Sequence, residues 1–322
     1  MNVNTITMLL VLFSICSAIY VYHFRGAVKF TSAVEYLRKG WPIFAPLNVM
    51  LYMATKKWAS TPFIKTSHFD HLTMLEDNWQ VIAKEAKALL DNGYFEQTTN
   101  KQNDSFYDVG FRTFYKYGWS KFYCTWYGTT LNSALAHCPN TVALINKIPA
   151  INGAMFTVLP PRSKLTRHLD PAACSFRYHL GLDTPNSEKC FINVDGKSQS
   201  WRNGEAFMFD ETYLHYVENN TDETRLILMC DVERPMNIFG KLINFFYKKL
   251  ITQMLVPNIE GDQAGIVNKL FAKVTPFLTA AKQLKKRKPS MYYPIKWLFN
   301  TMLLLLLLSL IISVITMLLS VF

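Results

Sequence analysis

The chain has 322 residues, half of them hydrophobic, and a formal net charge of +11, enough for one good-sized catalytic domain with appendages. The positive balance does not read as a nucleic-acid footprint, because the basic residues cluster beside apolar segments and no stacking or groove-reading motif accompanies them. Basic segments beside an apolar run meet an anionic lipid surface more economically. The six cysteines (Cys16, Cys124, Cys138, Cys174, Cys190, Cys230) form no C-x-x-C pair or regular framework, so reduced thiols are expected in a cytoplasmic domain.

In chain order, Ile6 to Phe24 is nearly all apolar. Met1 to Thr7 carries no Lys or Arg and the run ends in Tyr22-His23-Phe24-Arg25, so an uncleaved transmembrane anchor over 5–24 is expected rather than a signal peptide. Trp41 to Trp58 is apolar, broken by proline and too short to span; it fits a segment at the membrane interface or a strand of buried core. Leu72 to Asn92 has helical spacing, with Leu75, Trp79, Ile82, Ala86 and Leu89 on one side. Residues 25–118 thus combine an interfacial segment with a helical N-terminal part of the catalytic domain.

From Lys121 the pattern changes to short strands, among them Ala154–Leu159, Ser175–Leu182, Cys190–Val194 and Arg225–Val232. Turn signals at Pro160-Pro161, Asp183–Asn186, Asp195-Gly196, Asn203-Gly204 and Asn219-Asn220 divide them. Strands at this spacing predict a mainly β fold, a double-sheet jelly roll (double-stranded β-helix) or barrel, over 119–235. After Pro235, apolar residues from Ile238 to Ile251 alternate with Lys241, Lys248 and Lys249. That predicts a helix on a membrane surface or one packed on the domain, within an amphipathic and basic linker over 236–296. No charged residue follows Lys296, and the Leu-rich run 297–322 is long enough to cross a bilayer core of about 30 Å as a second transmembrane helix.

Positive charge follows the first run (Arg25, Lys29, Arg38, Lys39) and precedes the second (Lys282, Lys285, Lys286, Arg287, Lys288, Lys296). Both asymmetries place the intervening domain in the cytoplasm and the termini outside.

His168-Leu169-Asp170 offers an imidazole and a carboxylate two residues apart, which share a face if they lie on a strand. A distant His215 completes a three-ligand face of the kind that non-haem Fe(II) oxygenases use, with the opposite side open. The tripeptide alone is common. Its setting is not: Phe156–Pro161, His168–Pro171, Arg177–Leu182, Trp201–Thr212, His215 and Arg225 together resemble the aspartyl/asparaginyl β-hydroxylase family. The resemblance implies a jelly-roll dioxygenase that uses Fe(II), 2-oxoglutarate and O₂. It implies His168, Asp170 and His215 as iron ligands and Arg225 as the partner of the distal carboxylate of 2-oxoglutarate. Arg177 and His179 match the pair that touches the metal-side carboxylate, and Thr157 and Trp119 match further cosubstrate-lining positions. Animal members that act on proteins have Gly where this chain has Asp170.

Together with His23–Gly26, Ala45–Asn48, Phe209–Tyr213 and the two anchors, the chain resembles the lipid-modifying branch, bacterial lipid A acyl-chain 2-hydroxylases. That implies lipid A in the bacterial inner membrane, and membrane lipids generally, as partners, with no nucleic acid and no obligate protein partner. The alternatives are a membrane-anchored aspartyl/asparaginyl hydroxylase of proteins or peptides, and a hydroxylase of another acyl lipid. Asp210 and Glu211 are acids without an assigned role, expected to orient the second metal strand or to meet the surroundings of a phosphorylated substrate.

Overall fold

The computed structural model of the protein describes residues 3–101, 103–108, 110–111 and 114–320, with side chains except at 3, 4 and most positions from 303 on. It divides into a unit over Ala18–Phe271 and one formed by the terminal segments Met1–Ser17 and Ala272–Phe322. Among the described residues, one helix, over Thr5–His23, is long and apolar enough to cross a membrane. It lies within α1 (Val3–His23). The expected second span at 297–322 falls on a long helix, Pro289–Ser320, but most of its apolar side chains and its last two residues lie outside the described ones.

After α1 come α2 (Ala33–Lys39), a short 3-10 turn and α3 (Ala45–Ala54). Trp41–Trp58 is therefore helical, and the strand alternative is corrected. Pro42 and Pro46 occupy the first turns of their helices, where a missing N–H costs nothing and the fixed φ helps. The 72–92 stripe is buried as expected, but on two helices, α4 (Thr73–Asp77) and α5 (Trp79–Asp91). The break is Asn78, whose side chain donates back to the Met74 carbonyl at 2.9 Å.

Short α6 (Tyr94–Gln97), α7 (Asn132–His137) and α8 (Pro139–Ile145) surround a β core. Its strands are β1 (Phe63–Ile64), β2 (Ser120–Trp126), β3 (Thr129–Thr130), β4 (Ile151–Leu159), β5 (Ser163–His168), β6 (Ser175–Asp183), β7 (Cys190–Val194), β8 (Lys197–Ser200), β9 (Ala206–Phe209), β10 (His215–Asn219) and β11 (Arg225–Glu233). They form a seven-stranded sheet ordered β1-β9-β6-β11-β4-β2-β3 and a four-stranded sheet ordered β5-β10-β7-β8. The named strands pair antiparallel throughout. The expected strand positions are met, mostly with one to three residues added.

Register explains where the chemistry sits. Leu226, Leu228, Cys230 and Val232 on β11 share one face with Phe156 and Val158 on β4 and Phe176, Tyr178 and Leu180 on β6, all buried. Burying each such large side chain stabilises the fold by about 1.5–3 kcal/mol. The alternate residues face the other way. Asp231 stands opposite Arg177, Met229 opposite His179 and Ile227 opposite Thr157, with Arg225 two residues before Ile227. These three strands thus bury an apolar face and present a row of functional groups on the other. After β11 the chain continues into α9 (Ile238–Thr252), α10 (Ile266–Arg287) and α11 (Pro289–Ser320).

Candidate metal centre

His168 ends β5 and His215 begins β10, and the two are directly paired across the four-stranded sheet with ring centroids 4.2 Å apart. Asp170 is not on the strand. It lies past the end of β5, brought back by two backbone bonds, Leu169 N–H to the Lys39 carbonyl at 3.2 Å and Asp170 N–H to the Glu211 carbonyl at 3.0 Å. The same-face argument for His-x-Asp thus reaches the correct grouping through a loop. One potential ligand atom from each of His168, Asp170 and His215 lies within 4.8 Å of the others.

Both imidazoles are oriented through Nδ1, His168 on the Thr166 carbonyl at 2.7 Å and His215 on the Tyr213 carbonyl at 2.9 Å. That fixes the hydrogen on Nδ1 and leaves Nε2 with its lone pair, the arrangement by which a second shell aims a histidine at a metal. Burial, then the neighbouring His168, pulls His215 down to about 4, so it is neutral near pH 7 as a ligand must be. Burial opposes ionisation of Asp170, but His215, Arg177 and His168 hold it below its ordinary value. Two imidazoles and one carboxylate fit Fe(II).

Arg177 braces this centre. Its guanidinium meets Asp170 at 3.1 Å, Asp231 at 3.0 Å and Glu211 in close contact. Burial works against its charge, yet Asp231, Glu211 and Asp170 together hold it well above its ordinary value. Burial pushes the Glu211 and Asp231 carboxyls up against the pull of Arg177. The carboxyl groups that Arg177 touches here are the protein's own, on Asp170, Glu211 and Asp231.

Arg225 is the opposite case. It is 3% exposed, and its side chain's one hydrogen bond among the described residues is Nη2 donating to Thr157 Oγ1 at 3.4 Å. Its guanidinium lies 4.8 Å from the Trp201 ring centre, its Nε has no partner, and among the described residues it has no ion pair. Burial alone pulls it down to about 10. His179 stands beside it, pulled well below its ordinary value by burial and then by Arg225 and Arg177. Trp201 Nε1 donates to His179 Nδ1 at 3.3 Å, which puts the histidine's hydrogen on Nε2, where no acceptor lies among the described residues. A buried cation, a hydroxyl and an orphan N–H donor together fit a dicarboxylate. Trp119 stacks on Phe111 at 5.0 Å and joins the centre through Phe114, which lies 5.2 Å from His168.

Residues 76–235 match the family model described as aspartyl/asparaginyl beta-hydroxylase. The chain carries a domain of that family. An ornithine lipid ester-linked acyl 2-hydroxylase from Rhizobium tropici is 34% identical over 39% of this chain and 46% of its own length. Human aspartyl/asparaginyl beta-hydroxylase is 27% identical over 53% of this chain and 22% of its own length. The chain thus spans less than half the length of these relatives. A Pseudomonas putida prolyl-4-hydroxylase structure is 16% identical and covers 49% of this chain and 88% of its own, with a TM-score of 0.32.

Within this β-hydroxylase domain, Asp210 is an interior residue. It is fully buried between Arg25 at 2.6 Å and Arg234 at 2.8 Å, and those two arginines override burial to hold it down at about 2. Arg25 lies 3.9 Å from the ring centres of both Tyr52 and Tyr213, so the chain two residues past α1 is locked to the strand connection that carries Glu211. Trp201 and Asp231 were not singled out from sequence as site residues. Trp201 lies in a loop with no periodicity, and Asp231 reads as an ordinary strand residue until register sets it opposite Arg177.

Proposed function

We propose that this chain is an Fe(II)- and 2-oxoglutarate-dependent hydroxylase that places oxygen on C-2 of a secondary acyl chain of lipid A. The observation that carries the chemistry is the pairing of a two-histidine, one-carboxylate cluster with a buried arginine lacking a counter-ion on the same domain. Fe(II), when bound with 2-oxoglutarate and O₂, supplies the power to turn a C–H into C–OH, with one oxygen atom entering the product and the other entering succinate as CO₂ leaves. The protein's own groups do the rest. His168, Asp170 and His215 hold the metal from one side. Arg177 keeps Asp170 ionised and in place. Arg225, Thr157 and His179 hold the cosubstrate, and burial of that cation keeps competing anions and water from it.

The choice of lipid over protein rests on three supports. The Rhizobium relative is named for hydroxylation at the same acyl carbon. The carboxylate at Asp170 agrees with the lipid-modifying branch. The span over Thr5–His23 runs directly into Arg25, which is bolted to the domain. In this reading the two sheets are a jelly roll, the domain is cytoplasmic, and the chain crosses the bacterial inner membrane twice.

The test is growth of cells with and without the gene under ¹⁸O₂, followed by mass spectrometry of lipid A. One labelled oxygen next to an acyl carbonyl is expected. Label in peptide Asp or Asn with none in lipid A would replace this reading by the protein hydroxylase.

A further inference from the structure

Helix α9 is built inside out. Its buried positions are Gly240, Asn244 and Ile251, while Ile238, Leu242 and Phe246 are 84%, 57% and 63% exposed. A helix covering a soluble domain turns its apolar stripe inward. Helix α3 buries Ala45, Leu51 and Ala54 beside Asn48, but leaves Met53 80% exposed, with Trp41 and Ile43 exposed just before it.

The two helices form one surface. Lys56 N–H donates to the Pro235 carbonyl and Asn237 N–H to the Ala54 carbonyl, both at 2.9 Å. At Gly240 the contact is so close that a Cβ would fall 2.6 Å from that of Ala54. The surface continues into the end of the candidate span, because Val21 of α1 shares a small second core with Ala45 of α3. Exposed lysines (Lys56, Lys57, Lys241, Lys249) lie on the same segments. An apolar face with cations, continuous with a membrane-crossing helix, fits a lipid bilayer.

We infer that α3 and α9 enter one leaflet side by side and hold the metal loop at head-group depth. The link is a pair of buried asparagines, one from each helix. Asn48 donates to the Pro171 carbonyl at 3.1 Å and accepts from Ala173 N–H at 2.9 Å. Asn244 donates to the Cys174 carbonyl at 3.2 Å. Both therefore grip the four residues after the ligand Asp170. Leu169 and Leu214, each beside a ligand, pack in the same small core as Val21. The centre thus stands about one helix diameter, ~10 Å, from the lipid-facing side. A carbon next to an ester carbonyl lies just under the head groups, so this depth selects C-2 over carbons further down the chain. Only that last consequence rests on the function proposed above.

The full chain tests it with Phe246→Cys in a Cys16→Ser background, since the other five cysteines are buried. The thiol is labelled with bimane and the protein reconstituted in phosphatidylglycerol–phosphatidylcholine vesicles containing brominated acyl chains. Quenching at low protein-to-lipid ratio is expected, with none for the same label at Glu223→Cys. An unquenched label, or shielding that appears only when protein is crowded and a second copy can cover the face, overturns the docking. Separately, Leu242→Asp with Phe246→Asp should lower hydroxylation of vesicle-embedded lipid about tenfold. Turnover of detergent-dispersed lipid and the iron content should be nearly unchanged. Equal loss in both formats overturns the depth role. A quenched label in a protein that oxidises no lipid leaves the docking standing and removes the proposed function instead.

Discussion

Two buried arginines stand on the same face of the seven-stranded sheet in opposite electrostatic states. Arg177 meets three carboxyl groups; Arg225 meets none among the described residues. A buried charge without a partner is expensive, and natural chains rarely leave one. The contrast separates two jobs that are identical in residue type. At the Arg177 end the protein supplies its own anions, and the product is a rigid carboxylate ligand. At the Arg225 end the counter-charge must arrive from outside, so the protein stays in deficit until the cosubstrate binds.

The largest effect is expected at the metal end. His215→Ala removes a ligand already oriented by the Tyr213 carbonyl, so iron-dependent turnover should fall to background while the melting curve changes little. Metal analysis of the purified variant decides it, and full iron content with full turnover would refute the ligand set. Arg177→Met should cost about 3–5 kcal/mol of stability, because it strands Asp231, Glu211 and Asp170 in the interior without their cation. Thermal denaturation measures this, and a variant as stable as the parent would mean that the three carboxyl groups are already neutral.

Arg225→Met carries the opposite sign for stability. Removing an uncompensated buried cation should leave the ligand-free protein at least as stable as the parent. Binding of 2-oxoglutarate should weaken by about 2–5 kcal/mol, roughly thirtyfold or more in Kd. Calorimetric titration of 2-oxoglutarate into the iron-depleted protein gives one number and its melting temperature the other. Loss of stability without loss of affinity would reverse the assignment of the two arginines.

How much of this contrast the sequence could show depends on the range of the interaction. The strands were legible because burial on one face and function on the other imposes a period of two, as in Arg177–His179 and Arg225–Asp231. The ligand triad was legible as a motif within a family pattern, although Asp170 reaches the metal side through a loop held by Lys39 and Glu211, which no spacing rule contains. Trp41–Trp58 could be read as strand because a short, proline-broken apolar run has no decisive period. Asp231 and Glu211 converge on Arg177 from different strands and connections, and Asn48 and Asn244 reach one loop from helices that precede and follow the whole β core in the chain. Such pairings exist only after folding. Trp201 was hidden for the same reason, while Trp119 drew the expectation through the family resemblance.

Trp201 gives the smallest and sharpest test. Its ring lies beside the Arg225 guanidinium, and its Nε1–H holds His179 in the form that donates from Nε2. Trp201→Phe keeps an aromatic face near Arg225 but deletes that donor, so His179 can move its hydrogen to Nδ1 and cease to offer one to the cosubstrate. One neutral hydrogen bond is worth about 0.5–1.5 kcal/mol, so 2-oxoglutarate affinity should fall a few-fold, far less than in Arg225→Met. Trp201→Leu also removes the cation–π contact and should fall further, by about 0.5–2 kcal/mol more. Measured in one titration series, the order Arg225→Met, Trp201→Leu, Trp201→Phe places the bound carboxylate on Arg225 with His179 as its auxiliary. If Trp201→Phe bound 2-oxoglutarate as tightly as the parent, the orphan N–H of His179 would have no part in the cosubstrate site, and Arg225 with Thr157 would carry it alone.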